Sequence, residues 1–331
     1  MTTPSIGRPL VTVLLPVYNE RPEFLRRSVE SILLQTFEDF ELLVVDDGSE
    51  DEQTLREIKH IAQLDDRVRV LVQANQGLTK ALNVGLSVAR GMYICRQDSD
   101  DWSERERIHA QVDYLECENC CSIVGSNYKL YRQNGKELWA TNLPLGTADI
   151  KNAFKWMNPF CHGSVCFRRK DAEAVGNYRE AFRTAQDYDF FWRLCDYKGG
   201  ANLQEILYNH TRTSSSVMAE RKAEDMLIPY VIRELAKMRA KGLPEDIGVA
   251  KKKASDGTSR LDLSYISILK TADNCMLAGA YEKAVKLYVR AVKSKPFSIR
   301  GYLKLGRLFL YIAFPLFRRE LFTSNQKINP K

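Results

Sequence analysis

Three polar clusters interrupt apolar runs in the first hundred residues: Tyr18-Asn19-Glu20, Asp46-Asp47-Gly48-Ser49 and Asp98-Ser99-Asp100-Asp101. Carboxylates packed this closely repel one another, and burial raises the cost. A bound cation relieves it, and so does a solvated turn. Asp98 and Asp100 are two apart, so on a regular strand both face one way and can converge on one ion. Hard oxygen ligands of this kind suit Mg2+ or Mn2+. The alternative is an acidic helix start, with Ser103 as N-cap and Glu106 three residues later; that cap is expected beside the ion site. Asp47 sits in a DDGS turn, where Gly48 keeps the chain tight and the carboxylate is free to accept an N–H or to close an Asx turn. Further along, Asp187 and Asp189 open a helix in AQDYDFFWRL. They are placed to act on a ligand or to complement the helix dipole.

The elements that carry these clusters alternate in type. Strands are expected at Val11–Leu15, Glu41–Val45, Val68–Val72 and Met92–Cys95, and helices at Glu23–Gln35, Glu52–Leu64 and Leu78–Ala89. The pattern predicts an α/β fold with a mostly parallel sheet flanked by helices. Ligands of such sheets bind at the carboxyl ends of strands, where all three clusters fall. No GxGxxG follows the first strand and no GxxxxGK[ST] occurs, which argues against a dinucleotide fold and a P-loop. A helix is expected over Glu104–Leu115 and a hairpin through Gln133–Lys136, then shorter elements to a strand at Ile206–His210. A long mixed-charge helix over Met218–Lys241 follows. Residues 242–260 read as a linker by their Gly, Pro, Ser and charge content.

The expected division is 1–218, a helix and linker over 219–262, and an α-helical extension over 263–331. In the extension, Ala284, Tyr288, Ala291 and Pro296 resemble part of the tetratricopeptide pattern. One unit and part of another falls short of the three usually needed alone. The tail must therefore pack on the rest of the chain, on a protein partner or on a second copy.

At 331 residues, 44% apolar and 27% charged, the composition is that of an ordinary globular protein. The net charge of +7 fits an anionic partner without choosing one. The eight cysteines lack paired zinc-site spacing and read as reduced thiols. No signal peptide is expected at the N-terminus. No stretch reaches 18 apolar residues, so no spanning helix is expected. The longest candidate, Leu308–Phe317, reads as a buried helix or an interfacial anchor.

Several blocks in order resemble a family-2, GT-A-type, inverting glycosyltransferase. They are LLPVYNE with FELLVVDDGSEDEQ, NQGLTKALNVGLSVARGMYICRQDSDDW, NPFCHGSVCFRR, VGNYREAF and AQDYDFFWRL, spanning residues 8 to 216. The resemblance implies a nucleotide-sugar donor, a UDP-sugar first among them, a divalent Mg2+ or Mn2+, and a saccharide or lipid-linked acceptor. It implies a Rossmann-like sheet of GT-A type. On this likeness Asp47 bonds the base, Asp46 supports its loop, and Pro16, Tyr18 and Glu20 line the nucleotide pocket. Asp98 and Asp100 match the DxD positions, with Asp100 the direct metal ligand and Ser99 between them. Asp187 matches the base that takes the acceptor proton, with Asp189 its rival. His162 falls at a position near the donor phosphates or the acceptor. His210 would complete the metal shell, and Arg212 or Lys80 would reach a phosphate. Two departures stand out. Gln186 replaces a usual Glu before the base, and Arg96-Gln97 replaces apolar residues before the first Asp.

Two other classes compete with this reading. A nucleic-acid module is supported by the charge and by Lys251-Lys252-Lys253, but no recognition motif accompanies them. A catalytically inactive nucleotide-sugar-binding scaffold would use the tail for protein interaction; Gln186 is its only hint. The expected location is cytoplasmic, with peripheral contact at the inner membrane face through Leu308–Phe317 and the following Arg318-Arg319.

Overall fold

The structure is a computed structural model and describes residues 8–212, 223–257, 260–277 and 281–313. The chain divides into two compact units. One is Met1–Lys129 with Ala140–His210; the other is Leu130–Trp139 with Thr211–Lys331.

The first unit begins with β1 (Val11–Val17), α1 (Pro22–Leu33), β2 (Phe40–Asp46), α2 (Glu52–Ile61), β3 (Val68–Val72), α3 (Leu78–Val88) and β4 (Tyr93–Arg96). Every residue of β1, β2 and β4 is buried, as expected of strands covered by helices on both faces. Pro22 opens α1 with its φ already helical, and the Asp51 carboxylate caps α2 by accepting from the Thr54 N–H at 2.8 Å. Gly85 of α3 lies so close to Leu14 that a Cβ would collide with that side chain, which lets α3 press onto the sheet. Leu25, Val29 and Ile32 of α1 fill the core against Val13, Leu15 and Val44.

The next elements are β5 (Trp102–Ser103), α4 (Arg107–Cys117), β6 (Ile123–Arg132), β7 (Glu137–Ala140), α5 (Thr147–Phe154), a 3-10 turn at His162–Ser164, β8 (Cys166–Arg168), α6 (Arg169–Ala174), α7 (Gln186–Tyr197) and β9 (Gly200–Arg212). Among the described residues nine strands form one sheet in the order β3-β2-β1-β4-β8-β6-β9-β5, with β7 beside β6. The β3-β2-β1-β4 pairs are parallel, whereas β4–β8, β6–β8 and β5–β9 are antiparallel. The expected sheet flanked by helices, followed by a helical extension, is what the chain forms; its parallel character is confined to the first half.

Two local expectations are corrected. Ser103 does not cap a helix. It lies in β5, its hydroxyl donates to Gln97 Oε1 at 2.8 Å, and α4 starts only at Arg107. Glu106 instead accepts from the Thr36 hydroxyl at 2.7 Å. Pairing of Trp102 with Asn209 and Ser103 with Tyr208 explains the later helix start, because two residues are first drawn into the sheet. Residues 242–260 are also not a plain linker. Ile247–Asp256 forms a helix whose Asp246 cap accepts from the Val249 N–H at 2.9 Å.

The second unit holds the β6–β7 turn and helices α8 (Ala223–Ala240), α9 (Ile247–Asp256), α10 (Arg260–Leu277), α11 (Tyr281–Ser294) and α12 (Ile299–Ala313). Its core gathers Tyr265, Leu269, Ala272 and Cys275 of α10, Ala284, Tyr288 and Ala291 of α11, and Leu308 of α12. Leu308 is completely buried, so the run read as a buried helix or an interfacial anchor starts inside this core. Residues 314–317 of that run lie outside the described residues. Arg132, at the end of β6, donates to the Tyr281 hydroxyl at 2.7 Å. No helix among the described residues is long and apolar enough to cross a membrane.

Candidate active site

Parallel order places the carboxyl ends of β2, β1 and β4 side by side, so the three polar clusters share one edge. Antiparallel β8 then delivers His162 to that edge: the residue just before β8, Val165, accepts from the Arg96 N–H at 2.8 Å. Strand β9 delivers His210 beside Asp101 through its pairing with β5.

The acidic loop after β4 is held by Gln97, part of one of the two departures noted in the sequence, and by Arg107, Ser28 and Arg27, which the residue pattern did not single out. Gln97 is fully buried. Its amide nitrogen faces Ser28 Oγ at 3.0 Å, the Asp101 carbonyl at 3.1 Å and the Asp98 carbonyl at 3.3 Å. Its amide oxygen accepts from Ser103 Oγ and from Arg107 Nη2 at 3.2 Å. Arg107, also buried, donates to the Arg96 and Gly163 carbonyls at 3.0 and 3.3 Å. Helix α1 braces the loop from the other side. Ser28 Oγ donates to the Asp98 carbonyl at 2.8 Å, Arg27 Nη2 to the Asp100 carbonyl at 2.7 Å, and the Ser103 N–H donates to Ser31 Oγ. The Arg27 guanidinium also lies 3.9 Å over the Trp102 ring.

Within this frame the carboxylates differ. Burial alone would raise the Asp98 carboxyl, but Arg96, with His162 and His210, holds it below its ordinary value. Arg96 Nη2 meets Asp98 Oδ1 at 2.6 Å with the guanidinium 1% exposed. Asp100 makes no such ion pair among the described residues, and Arg27 meets its backbone carbonyl at 2.7 Å. Burial and the charges of Asp101, Asp98 and Glu20 push it up to about 9. Asp101 is buried and pairs with His210, whose Nδ1 lies 2.9 Å from Oδ2. Among the described residues no three His, Cys, Asp or Glu side chains gather as a ready metal cage. The pair Asp98 and Asp100 nonetheless fits Mg2+ or Mn2+, since such ions take one or two protein carboxylates together with substrate phosphates. The raised Asp100 carboxyl is the mark of an uncompensated charge that a cation would neutralise.

On the nucleotide side, Pro16 lies in β1 and Tyr18 is 50% exposed just beyond it. Burial raises the Glu20 carboxyl. Its Oε2 accepts from Ser99 Oγ at 3.1 Å, which ties the first cluster to the third. Asp46 Oδ1 accepts from the Ser49 N–H at 2.9 Å, as a loop support would. Asp47 is already engaged: Oδ1 accepts from Gln73 Nε2 and the Gln76 N–H, and Oδ2 from the Gly77 N–H, at 2.7–2.9 Å. Asn19, at φ 47°, belongs to the first cluster but had no role assigned to it; its side-chain oxygen accepts from the Glu50 and Asp51 N–H groups. It thereby locks the first cluster to the second. Lys80 is exposed on α3. Arg212 ends β9 and belongs to the second unit.

On the opposite side, Ala185 adopts φ 56° and launches α7. Asp187 Oδ2 accepts from Asn158 Nδ2 at 2.8 Å, and Asn158 Oδ1 in turn accepts from the Phe160 N–H at 3.2 Å. Asp189, the rival, is 2% exposed and consumed by Arg179 at 3.0 Å and Arg193 at 2.7 Å. His162 Nε2 lies 3.1 Å from the Tyr178 hydroxyl. Burial and Arg96 lower the imidazole to about 4, against the opposing pull of Asp187 and Asp98. His162 is thus a neutral ring that feels both carboxylates, and it brings the loop after β4 and the start of α7 into one site.

A sequence model of glycosyl transferase family 2 matches residues 12–176. The chain is 31% identical over 215 residues to the amylovoran biosynthesis glycosyltransferase AmsE of Erwinia amylovora, covering 64% of this chain and 80% of that one. Among solved structures it is similar to S. aureus TarS 1-349 in complex with UDP-GlcNAc, at a TM-score of 0.57 and 16% identity, covering 92% of this chain and 91% of that one. It is also similar to the mannosyltransferase PcManGT from Pyrobaculum calidifontis in complex with GDP-Man and Mn2+, at 0.55 and 16%, covering 95% and 88%.

Proposed function

The chain belongs to glycosyl transferase family 2, and from that premise we propose that it moves a sugar, with inversion, from a nucleoside diphosphate sugar to a saccharide or lipid-linked acceptor in polysaccharide or glycan synthesis. The observation that carries this reading is Asp187. Its carboxylate is oriented by Asn158 through one oxygen, beside a neutral His162 that senses Asp98 of the acidic loop. The acceptor hydroxyl would attack the anomeric carbon opposite the leaving group. Its oxygen forms the new bond, the bond from that carbon to the diphosphate oxygen breaks, and the hydroxyl proton passes to Asp187.

Asp98 and Asp100 would hold the divalent cation, with His210 oriented through Nδ1 by Asp101 so that Nε2 is the nitrogen left to a ligand. Such a cation supplies neutralisation of the charge that gathers on the leaving diphosphate. Asp46, Asp47, Pro16, Tyr18, Glu20 and Ser99 would form the nucleotide pocket, with Lys80 as a candidate phosphate contact. The UDP-GlcNAc complex of TarS and the GDP-Man complex of PcManGT support both a nucleotide-sugar donor and the cation. A UDP-sugar is the donor we favour. Eight unpaired cysteines support a reducing, cytoplasmic setting. The α10–α11 hairpin, with Ala284, Tyr288 and Ala291 buried, supports the tetratricopeptide-like reading of the tail and its use for a protein partner or self-association.

Asp187→Asn tests the reading. Transfer from a panel of UDP- and GDP-sugars with Mn2+ should fall at least about a thousandfold. Donor-induced thermal stabilisation should persist. Near-normal turnover in this variant would remove Asp187 from the mechanism.

A further inference from the structure

The second unit is strongly basic. Leu130–Trp139 with Thr211–Lys331 holds 26 Lys and Arg against 12 Asp and Glu, while the chain as a whole carries 49 against 42. Between Tyr281 and Arg307 there are eight basic residues and one acid, Glu282. The same stretch carries the three most exposed large apolar side chains among the described residues of that unit, with Tyr302 beside them. Phe297 is 102% exposed in the turn between α11 and α12, and Ile299, Tyr302 and Leu303 are 73%, 50% and 60% exposed.

These are not core residues seen from a frayed end. Helix α12 turns a separate face inward. Gly301 is packed so that a Cβ would press on Val292 and Tyr265, Leu305 is partly buried, and Leu308 is fully buried. Ile299, Tyr302 and Leu303 are spaced i, i+3 and i+4, so they form one outward stripe that continues from Phe297. Lys293 and Arg300 are exposed beside it. Lys295 lies 5.8 Å over the Tyr265 ring, and Lys304 pairs with Asp273. An apolar ridge flanked by the exposed cations Lys293 and Arg300 matches an interface that is apolar below and anionic above.

We propose that the α11–α12 turn and the outer face of α12 dock on an anionic lipid bilayer. Phe297, Ile299, Tyr302 and Leu303 enter the acyl boundary while Lys293 and Arg300 engage headgroups. This does not depend on the donor, the acceptor or the role of Asp187. It also moves the membrane contact from the Leu308 run to the turn that precedes it, because Leu308 is occupied in the core.

The test is co-sedimentation of the full chain with vesicles of phosphatidylcholine alone and of phosphatidylcholine with a third phosphatidylglycerol, together with light scattering in solution. Wild type should bind the anionic vesicles and not the neutral ones. Phe297→Ser combined with Leu303→Ser should weaken that binding about tenfold or more. Lys293→Glu combined with Arg300→Glu, at exposed positions that leave the core intact, should do the same. Failure of wild type to bind anionic vesicles, equal binding to neutral ones, or unchanged binding by both variants would each overturn the proposal. So would a wild-type dimer that Phe297→Ser with Leu303→Ser converts to monomer, since the ridge would then belong to a second copy.

Discussion

Asn158 shows how a side chain outside the obvious carboxylate pattern can govern one inside it. Its amide donates to Asp187 Oδ2 while its own oxygen is fixed by the Phe160 N–H, so the Asp187 carboxylate is held in one orientation, the one in which the proposed mechanism would present its other oxygen to the acceptor. Asn158→Leu should therefore lower kcat by about ten- to a hundredfold, from loss of a charge-assisted bond and of orientation. KM for the donor should stay within about threefold, and an equal rise in KM would point to a general disturbance instead. Asp100 makes the opposite case, a charge placed where the chain alone does not want it. Its folded carboxyl stands at about 9, above the 3.8 of an ordinary Asp. The metal-free folded state thus binds more protons than the unfolded one, so stability is full at low pH and is lost as pH climbs toward 9. Asp100→Asn should raise the Tm of the metal-free protein at pH 8 by about 2–4 °C, taking ~1 kcal/mol after discounting for solvent. The gain should vanish near pH 4, and a melt showing no pH dependence in this difference would exclude the account. The carboxylates themselves were legible in the residue pattern because their density is costly without a purpose. Asn158 was not, because a lone Asn before Pro159 reads equally well as a turn residue.

At the scale of elements, α1 serves two sides at once. Leu25, Val29 and Ile32 enter the core, while Arg27, Ser28 and Ser31, continued by Gln35 just past the helix end, form an adjoining polar row that receives the backbone of residues 98–104. Gln97 joins that row to Arg107 of α4. Gln97→Leu keeps the volume but leaves the Asp98 and Asp101 carbonyls and two seryl hydroxyls short of a partner. It should cost about 2–3 kcal/mol, seen as a lower denaturation midpoint, together with weaker Mn2+ binding. Retention of both wild-type values would show that the loop is held without it. The alternating strands and helices up to β4 were legible because apolar runs and glycine or acidic stops coincide there. The antiparallel half was harder. Short strands such as β5 and β8, of two and three residues, carry no period of their own, and the pairing of Trp102 with Asn209 joins residues far apart in sequence. That is why Ser103 reads as a helix cap until its strand partner is known. The α9 helix was hidden for a different reason. Lys251-Lys252-Lys253 and the flanking Gly, Pro and Ser look like linker composition, although the Asp246 cap was present three residues before Val249.

Across the whole molecule, opposite charge is sorted by unit, and each unit closes a core of its own. The tail's packing residues were readable from repeat spacing, but the exposure of its turn was not, because spacing reports which side chains face one another and not which face remains bare. The division also has a consequence for how such chains can be rearranged. Leu130–Trp139 lies between two stretches of the first unit yet groups with the helices that follow residue 210, and Arg132 there meets Tyr281. The units are interleaved along the chain and do not follow one another as beads. A graft that exchanged only the C-terminal helices between relatives would strand this hairpin without its phenol partner. A modular swap would have to carry two cuts, one around the hairpin and one after β9, which makes the tail slower to be traded by recombination than its position at the end of the chain suggests.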